Sequence, residues 1–229
     1  MALRYRCILI DHDDTAVDST SAVHYPAHLE ALRVLRPNRI PPTVEQWLLW
    51  NFDPGIMEYL VDELAMTKEE LDVEFRIWRS FTSDRTPPFF PGFLDLLADY
   101  RAAGGLVVVV SYSERDIIER HYRAASDPPF QPDLIFGWDP DESRRKPNPW
   151  PVQEALRLLD CAAEESLIVD DLKPGILLSQ ASGVAFAAAG WGHRVPQIES
   201  YMRANASVYC DSVEALRRHL FPVPDHARP

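Results

Sequence analysis

The stretch CILIDHDDT, residues 7–15, joins four consecutive apolar residues to a group of acidic ones. An apolar run of this length is typical of a short strand that is buried on both faces of a sheet. Similar runs follow along the chain at Leu106–Val110, Leu134–Phe136, Leu167–Val169 and Val184–Ala188. Helical patterns separate them, which predicts a doubly wound α/β fold with a parallel sheet.

The helical patterns between these runs show apolar residues on one face. We expect core helices at Gly92–Ala103, Glu114–Ala124, Pro149–Leu159, Gly175–Ala181 and Val213–Phe221. Residues Ser113–Asp116 predict a capping box at the start of the second helix. The tail Pro222–Pro229 has a loose composition, and we expect it to fray.

One segment, from Val17 to about Pro88, interrupts the alternation of strands and helices. It carries apolar residues at helical spacing, in the ranges Tyr25–Leu35, Val44–Trp50, Gly55–Leu64 and Lys68–Phe81. Pro87-Pro88 and Pro91-Gly92 mark the return of the chain to the sheet. We therefore predict an all-helical cap, residues 17–88, inserted into a Rossmann-like core domain formed by residues 1–16 and 89–229.

The composition limits the classes of partner. A net charge of −12 disfavours a surface that binds nucleic acid or anionic lipid. Apolar runs are far shorter than the roughly 18 residues of a membrane-spanning helix. The cysteines Cys7, Cys161 and Cys210 are odd in number and lack metal-binding spacing, which favours a reducing setting. We expect a cytoplasmic protein that contacts neither nucleic acid nor membrane.

Polar residues follow the predicted strands at the place where parallel sheets bind ligands, beyond the carboxyl ends. They comprise five acids, one hydroxyl and one ammonium: Asp11, Asp13, Asp14, Ser111, Lys146, Asp170 and Asp171. Carboxylates gathered at one edge repel one another unless a cation lies among them. Ligands that are all oxygen indicate Mg²⁺ rather than Zn²⁺. Because a hydroxyl and an ammonium suit the other oxygens of a phosphoryl group, the pattern predicts metal-assisted phosphoryl transfer.

These residues form four motifs in order: Asp11-x-Asp13-x-Thr15, Ser111, Lys146-Pro147-x-Pro149, and Asp170-Asp171 followed by Gly175. With these motifs the chain resembles the haloacid dehalogenase (HAD) superfamily of hydrolases. The likeness is to phosphatase-type members with a helical cap after the first strand, of the phosphoglycolate phosphatase and β-phosphoglucomutase kind. It covers residues 7 to about 190.

The resemblance implies a chemical role for each motif. Asp11 is the expected nucleophile, which forms an aspartyl-phosphate, and Asp13 is the expected general acid and base. Ser111 and Lys146 are the other expected catalytic residues, and both bind the phosphoryl group. Further phosphate contacts are expected from Tyr112 and from the backbone N–H of His12.

The resemblance also implies the metal ligands. They are the carboxylates of Asp11, Asp170 and Asp171 and the backbone carbonyl of Asp13, with Mg²⁺ as cofactor. Thr15 is expected to hold the first loop by hydrogen bonding. The family usually has Gly after the second aspartate, whereas this chain has Asp14, a residue type that adopts a left-handed backbone more readily than most.

The implied activity is that of a Mg²⁺-dependent phosphatase that hydrolyses a small-molecule phosphate monoester. Two alternatives stay open: a phosphomutase of the same fold, and a non-enzymatic phosphate-binding domain. Asp13 and the Asp170-Asp171 pair disfavour carbon–halogen cleavage, and Lys68 is the only lysine of the cap that could serve phosphonate cleavage. The sequence leaves open whether the protein is a monomer or a dimer formed through the cap, and whether phosphoglycolate, sugar phosphates or nucleotides are substrates.

Residues outside the motifs receive simpler interpretations. We expect Ser19–His28, nearest the hinge, to contact substrate, and Trp47, Trp50 and Phe52 to form the core of the cap. His24 and His28 lie one helical turn apart, but we expect no metal site there because a third ligand is missing. Lys173, Trp191 and His193 are placed near the site but not within it.

Overall fold

The centre of the fold is a six-stranded, wholly parallel sheet with the strand order β3-β2-β1-β4-β5-β6. This computed structural model describes residues 2–222. The strands are β1 (Cys7–Ile10), β2 (Leu106–Val110), β3 (Leu134–Phe136), β4 (Ser166–Asp170), β5 (Ala185–Ala189) and β6 (Val208–Cys210). The strand order reverses between β1 and β4, and such a switch point opens a crevice beyond their carboxyl ends.

The segment between β1 and the next core element is helical, as predicted. A π-helical turn (Thr20–His24) leads directly into α1 (Tyr25–Leu35). The remaining helices are α2 (Val44–Phe52), α3 (Ile56–Glu58), which continues as a π-helical turn (Tyr59–Glu63), and α4 (Lys68–Asp84). Thr43 and Thr67 begin α2 and α4 with full capping boxes. The division into a core domain and a cap at residues 16/17 and 88/89 stays a prediction.

Six helices cover the two faces of the sheet. They are α5 (Phe93–Ala102), α6 (Arg115–Ala125), α7 (Trp150–Leu159), α8 (Lys173–Ser182), α9 (Pro196–Asn205) and α10 (Val213–Leu220). Ile8 and Ile10 of β1 pack into a cluster with α5, α6 and α10, while Cys7 and Leu9 pack into a second cluster with α7, α8 and α9. Alternate residues of a strand thus serve opposite faces, which explains why the strands are apolar throughout.

The helical segment, residues 17–88, packs on the rest of the described chain, here called the sheet domain, as well as on itself. Leu48 of α2 belongs to the core cluster of α7, α8 and α9, and the ring of Phe52 lies 5.1 Å from that of Tyr201 on α9. Phe52 therefore contacts the sheet domain, unlike Trp50, which stacks on Tyr59 within the segment at 3.8 Å.

The predicted fold class is confirmed, with differences in detail. β4 extends one residue beyond the prediction at each end, β5 is shifted by one residue, and both α9 and β6 were missed. The capping box predicted at Ser113 is wrong, because Glu114 precedes α6 without a side-chain cap and Ser113 bonds elsewhere. The predicted fraying of the tail falls on residues 223–229, outside the described residues. Within residues 2–222, no helix has the length and apolar character needed to cross a membrane.

Candidate active site

The loop after β1 is built on a left-handed residue. Asp14 has a φ of +54°, a left-handed conformation that glycine adopts most readily. Its backbone N–H donates to the carbonyl of Val17, and its carboxylate accepts the backbone N–H of Thr20 at 2.9 Å. Asp14 thus adopts the left-handed backbone that its residue type tolerates better than most. The turn directs both Asp11 and Asp13 toward the crevice at the switch point of the sheet.

Lys146 joins two of the predicted acids. Its Nζ lies 2.7 Å from Oδ1 of Asp11 and 2.8 Å from Oδ2 of Asp170, and the side chain is 4% exposed. Burial alone would lower the pKa of Lys146, but the two carboxylates raise it far above its ordinary value. The lysine is therefore a permanent cation that is held between the ends of β1 and β4.

Three carboxylates at this edge could hold a metal ion. Asp11, Asp170 and Asp171 each offer an oxygen within 4.8 Å of the others, and all three residues are buried. Burial raises the pKa of Asp11 well above its usual value, and the neighbouring carboxylates add to that rise against the opposing effect of Lys146. With all three carboxylates ionised, Lys146 offsets one of three buried negative charges, so the donor set fits a divalent cation bound through oxygen.

Asp13 points to a different set of partners. Its Oδ2 accepts hydrogen bonds from the hydroxyls of Ser113, at 2.6 Å, and Ser111, at 3.3 Å. Its Oδ1 lies 3.0 Å from Nε2 of His24. Burial would raise the pKa of Asp13, but His24 and the hydrogen bonds hold it well below its ordinary value. The carboxylate of Asp13 thus has hydrogen-bond partners of its own, separate from the cluster of Asp11, Asp170 and Asp171.

His24 reaches Asp13 from the helical segment, at the end of the first π-helical turn. Nε1 of Trp78, on α4, lies 3.0 Å from Nδ1 of His24. Because an indole N–H can only donate, Nδ1 must be the acceptor, and the proton of a neutral imidazole must be on Nε2. His24 therefore donates to Asp13 while Trp78 fixes its tautomer.

The other predicted phosphate contacts are placed in different ways. Tyr112 is 40% exposed, with its ring 5.2 Å from Nζ of Lys146. The side chain of His12 turns away from the crevice into the core, where its Nε2 lies 2.9 Å from Nδ1 of His121. Only the backbone of His12 can serve a ligand in the crevice. Thr15 donates to Oδ1 of Asp171 at 3.3 Å, as expected of a residue that holds the loop.

Sequence reasoning missed Trp78 and the contact of Ser113 with Asp13, whereas His24 lies in the range Ser19–His28 that was expected to contact substrate and His193 was placed near the site. His24 and Ser113 contact Asp13, Trp78 contacts His24, and His193 lies 3.5 Å from Asp171. Only Ser113 carried a local signal, because it follows Ser111 by two residues after a strand. Lys173 pairs with Asp53 of the helical segment at 3.1 Å and does not touch the acids described above.

Comparison with known proteins decides the family. A model of the haloacid dehalogenase-like hydrolase family matches residues 8–189. The chain belongs to this family. The predictions of a HAD superfamily member and of a hydrolase are confirmed.

Individual relatives are distant. The pyrophosphatase PpaX of Bacillus thuringiensis is 25% identical over 191 residues, which are 82% of this chain and 85% of that protein. A candidate phosphoglycolate phosphatase from Lactobacillus plantarum superposes with a TM-score of 0.76 at 19% identity, covering 95% of this chain and all of the other. CbbY from Rhodobacter sphaeroides, solved in complex with phosphate, gives 0.70 at 21% identity, covering 91% of this chain and 94% of that one. At these identities the solved structures show a shared fold.

Proposed function

We propose that this HAD hydrolase is a Mg²⁺-dependent phosphatase that hydrolyses a small-molecule phosphate monoester through an aspartyl-phosphate on Asp11. The observation that carries the proposal is the buried contact of Lys146 with both Asp11 and Asp170, beside a third buried carboxylate. A site with two uncompensated negative charges suits a divalent cation together with a phosphoryl group.

In the first step, a carboxylate oxygen of Asp11 attacks phosphorus and the bond from phosphorus to the ester oxygen breaks. Lys146 keeps Asp11 in place and balances charge on the transferring group, while Ser111 donates its hydroxyl to a phosphoryl oxygen. Asp13 gives a proton to the leaving oxygen. When bound by Asp11, Asp170, Asp171 and the Asp13 carbonyl, Mg²⁺ would supply further charge neutralisation at the phosphoryl oxygens.

In the second step, water attacks the aspartyl-phosphate, and the bond between Asp11 and phosphorus breaks. Asp13 takes the proton from this water, which restores the form that protonates the next leaving group. The lowered pKa of Asp13 keeps its carboxylate ionised in the resting site, which is the form that accepts the proton from water. For the first step Asp13 must take up a proton before the leaving oxygen departs. Trp78 fixes His24 as a hydrogen-bond donor, and His24 holds one oxygen of Asp13. The orientation of the Asp13 carboxylate therefore does not depend on the substrate.

We propose that residues 17–88 act as a cap that selects the substrate. The segment already contacts the sheet domain through apolar side chains and through ion pairs, such as Arg79 with Asp116 at 2.7 Å. His24 brings this segment to within hydrogen-bonding distance of Asp13. A covered crevice excludes bulk water and admits a small ester more readily than a phosphorylated protein.

A panel of phosphate esters with Mg²⁺ tests the proposal. It should include sugar phosphates, nucleotides and phosphoglycolate, and also inorganic pyrophosphate, because the curated relatives are named for that activity. We expect release of inorganic phosphate that stops with EDTA and returns with Mg²⁺. Isomerisation of a sugar phosphate without phosphate release would instead favour a mutase, and phosphate binding with no turnover would favour a non-enzymatic domain.

A further inference from the structure

The loop that follows β5 is fixed against the Asp11–Thr15 loop at two points. Nε1 of Trp191 donates to the carbonyl of Thr15 at 3.0 Å. Gly192 lies so close to the same loop that an added Cβ would fall 2.1 Å from the carbonyl oxygen of Asp14. Only glycine permits this approach. The next residue, His193, is therefore held at a defined place beside the metal-site carboxylates.

The side chain of His193 is 7% exposed, and neither of its ring nitrogens has a hydrogen-bond partner among the described residues. Its Nε2 faces Oδ2 of Asp171 at 3.5 Å, and that oxygen is also buried without a partner in the described part of the chain. Buried polar atoms are rarely left unpaired. Two such atoms that face each other are a potential donor and acceptor for one hydrogen bond.

We propose that His193 is a positioning residue that donates from Nε2 to Asp171 and thereby sets the affinity of the site for its divalent cation. Thr15 already donates to the other oxygen of the same carboxylate, Oδ1. The two donors together fix the plane of the carboxylate. His193 does not belong to the convergent set of Asp11, Asp170 and Asp171, so we assign it to Asp171 as a partner and not to the cation as a ligand.

This assignment rests on the proposed function in one respect, namely that the three carboxylates hold a cation. It adds a separate claim about which residue tunes that site. Loss of a residue that holds a metal-ligating side chain by hydrogen bonding typically lowers metal affinity by about 10- to 100-fold. His193 should therefore act mainly on cation binding, whereas Asp13 and His24 should act mainly on proton transfer.

The test compares two variants in the full chain without substrate. His193→Phe keeps a ring but removes the donor, while His193→Gln places an amide nitrogen near the position of Nε2. Dissociation constants for Mn²⁺, from electron paramagnetic resonance of the free ion, and for Mg²⁺, from calorimetry, are measured for both. His219→Phe on α10 is the matched control for a histidine remote from the site, and thermal melts establish that each variant is folded.

We expect His193→Phe to raise both dissociation constants by about 10- to 100-fold, and His193→Gln to restore most of the loss. At saturating Mg²⁺, the fold-decrease in kcat of His193→Phe should be smaller than the fold-increase in its dissociation constant for Mg²⁺. Wild-type Mn²⁺ affinity in His193→Phe would overturn the assignment. The assignment would also fail if His193→Gln bound Mn²⁺ as weakly as His193→Phe does. It would fail too if electron spin echo envelope modulation showed an imidazole nitrogen bound directly to Mn²⁺ in the wild type. Because binding is measured without turnover, failure here is distinct from a failure of the phosphatase proposal, which would appear in the Asp11 variant.

Discussion

The strand ends of the sheet domain and the helical segment contribute to the site in different ways. The strand ends supply the charges: Asp11 after β1, Asp170 and Asp171 at the end of β4, and Lys146 in the loop before α7. The helical segment supplies no charge to this cluster and instead holds Asp13 through His24 and Trp78. The difference suggests that the sheet domain performs the transfer of the phosphoryl group, while the segment controls the transfer of the proton.

The largest effect should follow from a change at the strand ends. Asp11→Asn removes the nucleophile while preserving size, and we expect phosphatase activity to fall by about 10⁴-fold or more. The loss should be the same for activated esters, such as p-nitrophenyl phosphate, and for alkyl esters, because no substrate bypasses the nucleophile. Steady-state kinetics with both substrates measure it. Asp95→Asn, on α5, serves as the matched control and should retain activity.

A change in the helical segment should show a different signature. His24→Ala removes the donor to Asp13, and we expect kcat for alkyl esters to fall by about 10- to 100-fold. This is less than the roughly 10²- to 10⁴-fold of general acid–base catalysis itself, because Asp13 is retained. Activity on p-nitrophenyl phosphate should change much less, since its leaving group needs no proton. A series of aryl phosphates tests this through the slope of rate against leaving-group pKa. Equal losses for all leaving groups would place His24 in a purely structural role.

Replacing His24 by Gln tests whether the hydrogen bond to Asp13 accounts for the loss in His24→Ala. The amide nitrogen of Gln can occupy the position of the imidazole Nε2, so His24→Gln should recover a large part of the lost activity on alkyl esters. His24→Asn, whose amide is one methylene shorter, is the matched variant that should recover little. If both variants behave alike, the donor to Asp13 is not what matters at this position.

Trp78→Phe should have a smaller effect. The ring of Trp78 stacks on that of His24 at a centroid separation of 6.2 Å, and the substitution keeps an aromatic ring there. It removes the indole N–H that fixes the tautomer of His24. We expect a loss of several-fold in kcat for alkyl esters (~3–10-fold), below the effect of His24→Ala. The nitrogen chemical shifts of His24 should also move toward a mixture of tautomers. Unchanged shifts would contradict the inference drawn from the indole.

The smallest effect is expected at the ion pairs that join the two regions. Arg79→Gln removes partly exposed ion pairs with both Asp116 and Glu114, and such pairs contribute about 0–1 kcal/mol each to the free energy of unfolding. We expect little change in stability and a modest rise in KM. A large loss of kcat would mean that these pairs, rather than His24, connect the segment to the chemistry.

The difference between the strand ends and the helical segment also explains which elements and site residues could be predicted from the sequence. The strands β1 and β2 are continuous apolar runs, and Asp11, Ser111 and Lys146 lie at fixed places relative to strands, so local patterns identify them. β6 has only three residues and α9 has a mostly polar sequence, so neither gave a clear local pattern. His24 and Trp78 are 54 residues apart and meet only through the packing of α4 against the first π-helical turn.

The contact of His193 with Asp171 was hidden for a similar reason. Its position depends on the close approach of Gly192 to Asp14, which no spacing within the sequence indicates. Ser113 shows the opposite error, because a local capping pattern was present, but its hydroxyl is taken by Asp13. Charges at strand ends are therefore predictable from sequence, whereas the donors that orient them depend on tertiary structure.

The central claim, that Asp11 carries the phosphoryl group, is tested most directly by trapping the intermediate. In Asp13→Asn the base for water attack is lost, while p-nitrophenyl phosphate can still leave without a proton. We predict that acid quenching of this variant with Mg²⁺ and p-nitrophenyl phosphate yields one phosphoryl group on the peptide that contains Asp11, identified by mass spectrometry. The same experiment with Asp11 also changed to Asn should yield none. A phosphoryl group on any other residue, or turnover that continues with no phosphorylated protein at any time point, would contradict the account.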